Sequence, residues 1–231
     1  MNDLIARNAL KVLRRIGEIC EQYDRKADEI VIVAVTKGFS AETIRKAVNS
    51  GFHHIGENRV QEAEPKITAL GHIASYHMIG HLQSNKAKRA VQLFDVIQSA
   101  DSFHLAEEIN KHAAAEGRII ECYVQVNSSG ETQKSGVSPQ ECLDLIKRMQ
   151  ELSNLKLTGL MTIGPLTEDE KSIRGAFAIC RELFHKGQQI VGSEFEHLSM
   201  GMSEDYPLAI AEGSTMIRLG TAIFGPRPAQ K

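Results

Sequence analysis

Lys37 terminates the unbroken apolar run Ile30-Val31-Ile32-Val33-Ala34-Val35-Thr36. A run rich in β-branched residues, without polar alternation, predicts a strand covered on both faces, as in a parallel sheet wrapped by helices. A lysine at the C-terminal end of such a strand stands where α/β folds place their chemistry. Partial removal from water weakens the ammonium's preference for its charged form, and the amine becomes available to attack a carbonyl. Most lysines are solvated surface groups; the run that precedes Lys37 is what sets it apart. Two segments near the C-terminus have complementary chemistry. Leu198-Ser199-Met200-Gly201-Met202-Ser203 and Arg218-Leu219-Gly220-Thr221 are rich in Gly, Ser and Thr. Small residues let backbone N–H groups approach an anion, and hydroxyls add donors. Either segment alone also reads as an ordinary turn. Arg218 stays protonated and can only donate hydrogen bonds. Set against a pyridine nitrogen, it would keep that nitrogen unprotonated and so damp the ring as an electron sink. Its competing role is a barrel-end ion pair with a carboxylate such as Glu57.

These residues need a scaffold that gathers them. Apolar strand-like segments recur at about 30–36, His53–Ile55, Ser75–Ile79, Asp95–Ser99, Ile119–Val126, Lys156–Met161, Phe195–Leu198 and Thr215–Leu219. Between them lie segments with Ala, Glu, Lys and Leu at helical spacing, such as Ala41–Asn49, Ser102–Glu116, Pro139–Leu152, Glu168–Lys186 and Glu204–Ala211. Strands alternating with helices predict a single (β/α)8 TIM barrel, one domain over residues 1–231. Leu4, Ala9, Leu10, Leu13, Ile16 and Ile19 predict an amphipathic N-terminal helix. Gly225, Pro226 and Pro228 make the tail poor material for a long closing helix, so the N-terminal helix is expected to complete the outer ring. An open doubly wound sheet is the alternative, but no GxGxxG loop supports it.

On the barrel nearly all of the unusual residues fall just after strands. Lys37 follows the first, Gly56-Glu57-Asn58 the second and Gly80-His81 the third. Asn127 follows the fifth, Met161-Thr162 the sixth, Ser199-Met200-Gly201 the seventh and Arg218 to Thr221 the eighth. The βα loops converge at the C-terminal face, where barrel enzymes carry their sites, and phosphate is often held after strands seven and eight. An aldehyde bearing a phosphate would satisfy Lys37 and both small-residue loops, and pyridoxal phosphate is such a compound.

Bulk properties exclude little. The 231 residues are 42% hydrophobic and 24% charged, with a formal net charge of −2, which gives no electrostatic reason to expect nucleic acid or an acidic membrane as partner. The Lys86-Ala87-Lys88-Arg89 cluster reads as a solvated helix face. No stretch approaches the ~20 apolar residues of a bilayer span, and the N-terminus lacks a signal-peptide pattern. Cys20, Cys122, Cys142 and Cys180 form no CxxC pair and read as packed, reduced thiols, which points to the cytoplasm. His77-x-x-x-His81 has the spacing of helical zinc ligands. In a strand, however, four residues span roughly 13 Å, too far for one metal. No metal site is expected.

Several blocks together resemble the pyridoxal phosphate homeostasis protein family. They are Val35-Thr36-Lys37, Ile55 to Glu62, His77 to Lys86, Gly159-Leu160-Met161-Thr162, Leu198 to Asp205 and Gly213 to Gly225. The likeness runs from the first strand to the tail, and it implies a barrel similar to the alanine racemase N-terminal domain. By that resemblance, Lys37 is the Schiff-base lysine for pyridoxal 5'-phosphate. Asn58 contacts the ring region and Arg218 faces the ring nitrogen. Ser199, Gly201, Gly220 and Thr221 bind the phosphate. His81 and Met200 are further cofactor-side candidates. The sequence departs from many relatives at Gly38-Phe39-Ser40, where a proline is common, and at Tyr76, where a tryptophan is.

Racemisation needs a base on each face of the substrate α-carbon. In the resembling racemases the second base is a tyrosine from another domain. Of Tyr23, Tyr76, Tyr123 and Tyr206, only Tyr206 lies near the strand-seven loop. A missing second base and a damped electron sink favour a carrier, one that buffers or delivers the cofactor to apo-enzymes as a monomer. An amino-acid racemase or a Schiff-base lyase is the alternative. Lys134, usually a surface lysine, is a candidate to receive the aldehyde by transimination during handover.

Overall fold

Residues 4–226 are described by a computed structural model. The β-branched run forms β1 (Val31–Val35), paired in parallel with β2 (His54–Glu57) on one side and β8 (Met216–Leu219) on the other. Between them follow β3 (Ser75–Met78), β4 (Val96–Ala100), β5 (Ile120–Val126), β6 (Leu155–Thr162) and β7 (His197–Ser199). The strands close in sequence order into one barrel, so the expected eight-stranded ring forms and the open sheet does not.

The outer layer comprises α1 (Leu4–Gln22), α2 (Ala41–Asn49), α3 (Val60–Leu70), α4 (Ala87–Leu93), α5 (Phe103–Ala115), α6 (Cys142–Met149), α7 (Glu170–Val191), α8 (Tyr206–Ala211) and α9 (Thr221–Phe224). Local sequence sets several starts. The hydroxyls of Ser40 and Ser102 accept from Thr43 N and Leu105 N, and the Asp169 carboxylate accepts from Lys171 N and Ser172 N. Each satisfies amides that the first helical turn leaves unpaired. After β8 the chain makes only the short α9. As expected, α1 fills the remaining place in the ring, packing on α8 and α9, with Asn8 Nδ2 donating to Ile223 O at 2.9 Å. Pro228 lies outside the described residues.

Strand alternation divides the interior in two. Ala34, Ile55, Tyr76, Ile97, Cys122, Leu160, Leu198 and Ile217 point outward into the main core beneath the helices. Val33, Val96, Tyr123, Met161 and Met216 fill the barrel itself. Each large apolar side chain so buried contributes roughly 1.5–3 kcal/mol. The same alternation sorts the polar residues: Thr36 and Glu57 share the outward parity, while Lys37 and Arg218 continue the inward one above Val33, Val35 and Met216. All four cysteines are buried and unpaired. Among the described residues, no helix is long and apolar enough to cross a membrane.

Candidate functional site

Lys37 sits, half-buried, in a tight turn just beyond β1. Phe39 N donates to Thr36 O at 3.0 Å, and Gly38 takes φ 79°, the left-handed value that the third position of a type II turn demands. Helix α3 holds this turn from behind. Lys66 Nζ donates to Thr36 O at 3.1 Å, to Glu57 Oε1 at 2.9 Å and to Glu62 Oε1 at 2.7 Å. Glu62 Oε1 also accepts from Gly38 N at 2.5 Å, and Thr36 Oγ1 donates to Glu57 Oε1 at 2.6 Å. Burial pushes the Glu57 carboxyl up, more than Lys66 and Thr36 pull it down. Burial also pushes on Glu62, but Lys66 and the Gly38 amide together outweigh it and hold that carboxyl below its usual range.

Arg218 lies deeper in the barrel, opposite Val33 across the β1–β8 seam. It is 4% exposed, and among the described residues no carboxylate forms a salt bridge with it. Its NH1 donates to Ser199 Oγ at 2.7 Å and its NH2 to Thr162 O at 2.7 Å. Glu57, the partner in the competing reading, is on the other side of the sheet with Lys66, so that pairing does not form. Burial lowers the Arg218 pKa to about 10, with Asp205 opposing the change. From Arg218 a chain of hydrogen bonds descends the barrel. Ser199 Oγ donates to Gln98 Oε1 at 2.7 Å, Gln98 Nε2 donates to His77 Nδ1 at 2.9 Å, and His77 Nε2 lies 3.0 Å from His54 Nδ1. This direction places the His77 proton on Nε2. Burial holds the His77 pKa well below the ordinary histidine value, so the ring is neutral.

Two expected positions change character. The Ser199 hydroxyl is fully buried and engaged by Arg218 and Gln98, so it supports the guanidinium rather than facing the Gly220 loop. The Met200 side chain is buried in the main core, facing the helices. The strand-parity rule accounts for both: Ser199 shares the inward face with Met161, and the next residue must point out. Gly201 is held at φ 97°, and a Cβ there would lie 2.5 Å from Ala209 Cβ. Its carbonyl accepts from Arg218 N at 2.9 Å. Gly220 lies beside Val35, and Gly220 N and Ala222 N both donate to Ser203 Oγ at 3.2 Å. The two small-residue loops therefore meet each other at the β1 side of the mouth, with Thr221 opening α9.

Across the mouth lies a cavity of about 230 Å³, lined by Asn58, Gly80, His81, Gln125 and Lys134 among others. Gly80 permits this arrangement, since a Cβ there would sit 2.2 Å from Asn58 O. His81 Nδ1 is 3.3 Å from Asp101 Oδ2. Lys134 Nζ donates to Glu131 Oε1 at 2.5 Å and Gly164 O at 2.7 Å. His77 and His81 do not converge: one is in the barrel, the other on the surface. Among the tyrosines, Tyr123 donates to Glu121 inside the barrel and Tyr76 to Gly71 O, while Tyr206 is buried at the start of α8. Gln98, Ser203, Glu62 and Lys66 were not singled out from sequence. Gln98 had a signal: a polar residue in a strand buried along its whole length.

Known proteins show the same organisation. A family model described as the alanine racemase N-terminal domain matches residues 13–228. A protein named pyridoxal phosphate homeostasis protein, from Aquifex aeolicus strain VF5, is 39% identical over 218 residues, 94% of this chain and 96% of that protein. The solved structure of PipY from Synechococcus elongatus PCC7942, with PLP bound, is 36% identical with a TM-score of 0.79 and covers 93% of this chain and 100% of its own. Alanine racemase from Corynebacterium glutamicum, at 15% identity, shares the fold with a TM-score of 0.74, over 98% of this chain and 62% of its own.

Proposed function

The chain belongs to the alanine racemase N-terminal domain family, among the proteins named for pyridoxal phosphate homeostasis, and from that membership we propose that it binds pyridoxal 5'-phosphate and acts as its cellular carrier. Lys37 holds the aldehyde as a Schiff base. Asn58 borders the ring, and Arg218 faces the ring nitrogen. Gly201, Gly220 and Thr221 hold the phosphate with main-chain donors, joined by the Ser203 hydroxyl. Ser199 serves by fixing Arg218; His81 borders the ring side through the cavity it shares with Asn58. The observation that carries this assignment is Arg218 itself, a guanidinium buried in the barrel below the lysine that, among the described residues, forms no salt bridge with a carboxylate. Such a cation is costly to keep, and an acceptor-rich ligand offsets that cost.

The cofactor supplies a reactive aldehyde and an electron-accepting ring. An arginine at its ring nitrogen donates a hydrogen bond but no proton, which weakens the ring for carbanion chemistry. That supports holding and delivery in the cytoplasm over racemisation, as does the placement of the tyrosines away from the cavity. Lys134, which lines the same cavity as Asn58, receives the aldehyde during handover to recipient apo-enzymes, once its bonds to Glu131 and Gly164 open.

Borohydride reduction of the cofactor-treated protein, followed by peptide mass spectrometry, tests this directly. The expected result is one adduct on Lys37 in the wild type and a colourless Lys37→Ala variant. A colourless wild type without added mass sinks the proposal, and racemisation of an amino acid by the loaded protein overturns the carrier role. Transfer to an apo-enzyme at equal rates by wild type and Lys134→Ala would dismiss the handover step.

A further inference from the structure

One helix grips both peptide groups that flank Lys37. Lys66 Nζ binds the carbonyl of Thr36, and Glu62 Oε1 binds the amide of Gly38. The two side chains are one helical turn apart on α3 and bind each other at 2.7 Å. Lys66 is in turn anchored by Glu57, which is fully buried and also takes the Thr36 hydroxyl. The grip is thus a closed unit of three charged side chains, two backbone groups and one hydroxyl. It acts on the main chain of the turn and leaves the Lys37 side chain on the opposite, inward parity. This geometry has a chemical use. A lysine side chain has several rotatable bonds, and reaction requires its amine at bonding distance from one carbon. Fixing the backbone on both sides of the lysine leaves only the side chain to be ordered.

We propose that Glu62 and Lys66 are positioning residues for Lys37, presetting its turn for imine formation. This inference rests on the assignment of Lys37 as the residue that takes the aldehyde. In the step concerned, the Lys37 amine nitrogen bonds to the aldehyde carbon, and the carbonyl oxygen departs with two protons as water. No oxidant or reductant enters. Glu62 and Lys66 act through the Thr36 carbonyl and the Gly38 amide.

Glu62 is the better residue to change, because its side chain is 33% exposed, whereas loss of Lys66 would leave two carboxylates facing each other across a buried site. Glu62→Ala removes the grip on Gly38; Glu62→Gln keeps an acceptor for that amide. The rate of imine formation, followed by absorbance and by reducible mass on Lys37, is expected to fall about tenfold or more in Glu62→Ala, the effect of losing one charge-assisted hydrogen bond. Glu62→Gln is expected to recover part of it. Binding of pyridoxine 5'-phosphate, which carries an alcohol in place of the aldehyde, is expected to be unchanged in both variants. A wild-type rate in Glu62→Ala overturns the positioning role alone, as does an equal loss of pyridoxine phosphate binding, which marks general damage to the site. A wild type that forms no adduct on Lys37 overturns the parent assignment and this role with it.

Discussion

Replacing Arg218 by methionine separates binding from stability. Burial, opposed by Asp205, brings the guanidinium's pKa to about 10, a factor of ~10²–10³ below the ordinary arginine value and a net penalty on its charge of about 3–4 kcal/mol. Against this stand two charge-assisted hydrogen bonds, to Ser199 Oγ and Thr162 O, worth about 1.5–3 kcal/mol each. The two contributions nearly cancel. An unbranched apolar side chain of similar reach should therefore leave the cofactor-free protein within about 2 kcal/mol of wild-type stability. If Arg218 meets the ring nitrogen as proposed, the cofactor loses that donor, and about 3 kcal/mol corresponds to roughly a hundredfold weaker binding. Urea denaturation without cofactor measures the first quantity and absorbance titration the second. A large stability loss with unchanged affinity would refute the reasoning and make Arg218 a structural strut.

Two other perturbations probe the same machinery. His77 has a folded pKa far below its unfolded value near ~6.5, so as pH falls the unfolded chain takes the proton first and stability is lost below that point, at up to ~1.4 kcal/mol per pH unit. His77→Asn should flatten that part of the profile by about 1–1.5 kcal/mol between pH 7 and 5.5; parallel wild-type and variant curves in urea would show that His77 ionises alike in both states. Gly201→Ala places a Cβ 2.5 Å from Ala209 Cβ at a left-handed backbone position and should cost about 2–4 kcal/mol, read as a lower denaturation midpoint at unchanged slope. Because Gly201 O holds Arg218 N, cofactor affinity should drop as well. A loss below about 0.5 kcal/mol would mean that the loop yields without strain.

The strands were legible because a doubly covered strand must be apolar throughout, and the run ending at Thr36 leaves little else to form. Lys37 was legible for the same reason, as the point where that run stops. Helix α3 was harder to see, since Pro65 interrupts its pattern while the fold tolerates it within Val60–Leu70. The surroundings of Ser199 and Met200 were not legible, because β7 extends to Ser199, one residue beyond the expected end. That single residue decides which side chain enters the barrel. The partners of the Lys37 turn were hidden for a different reason. Glu62 and Lys66 look like an ordinary helix-surface pair, and only tertiary packing carries them to a turn some thirty residues earlier in the chain.

The β1–β8 seam has a consequence for when the pocket comes into being. Val33 and Arg218 are neighbours across it, yet nearly the whole chain separates them. Contacts between such distant positions form late in folding, because the intervening polypeptide must be ordered first. Lys37 and the two small-residue loops come from opposite edges of that final closure. The rim that these segments form therefore exists only once the last strand has docked on the first.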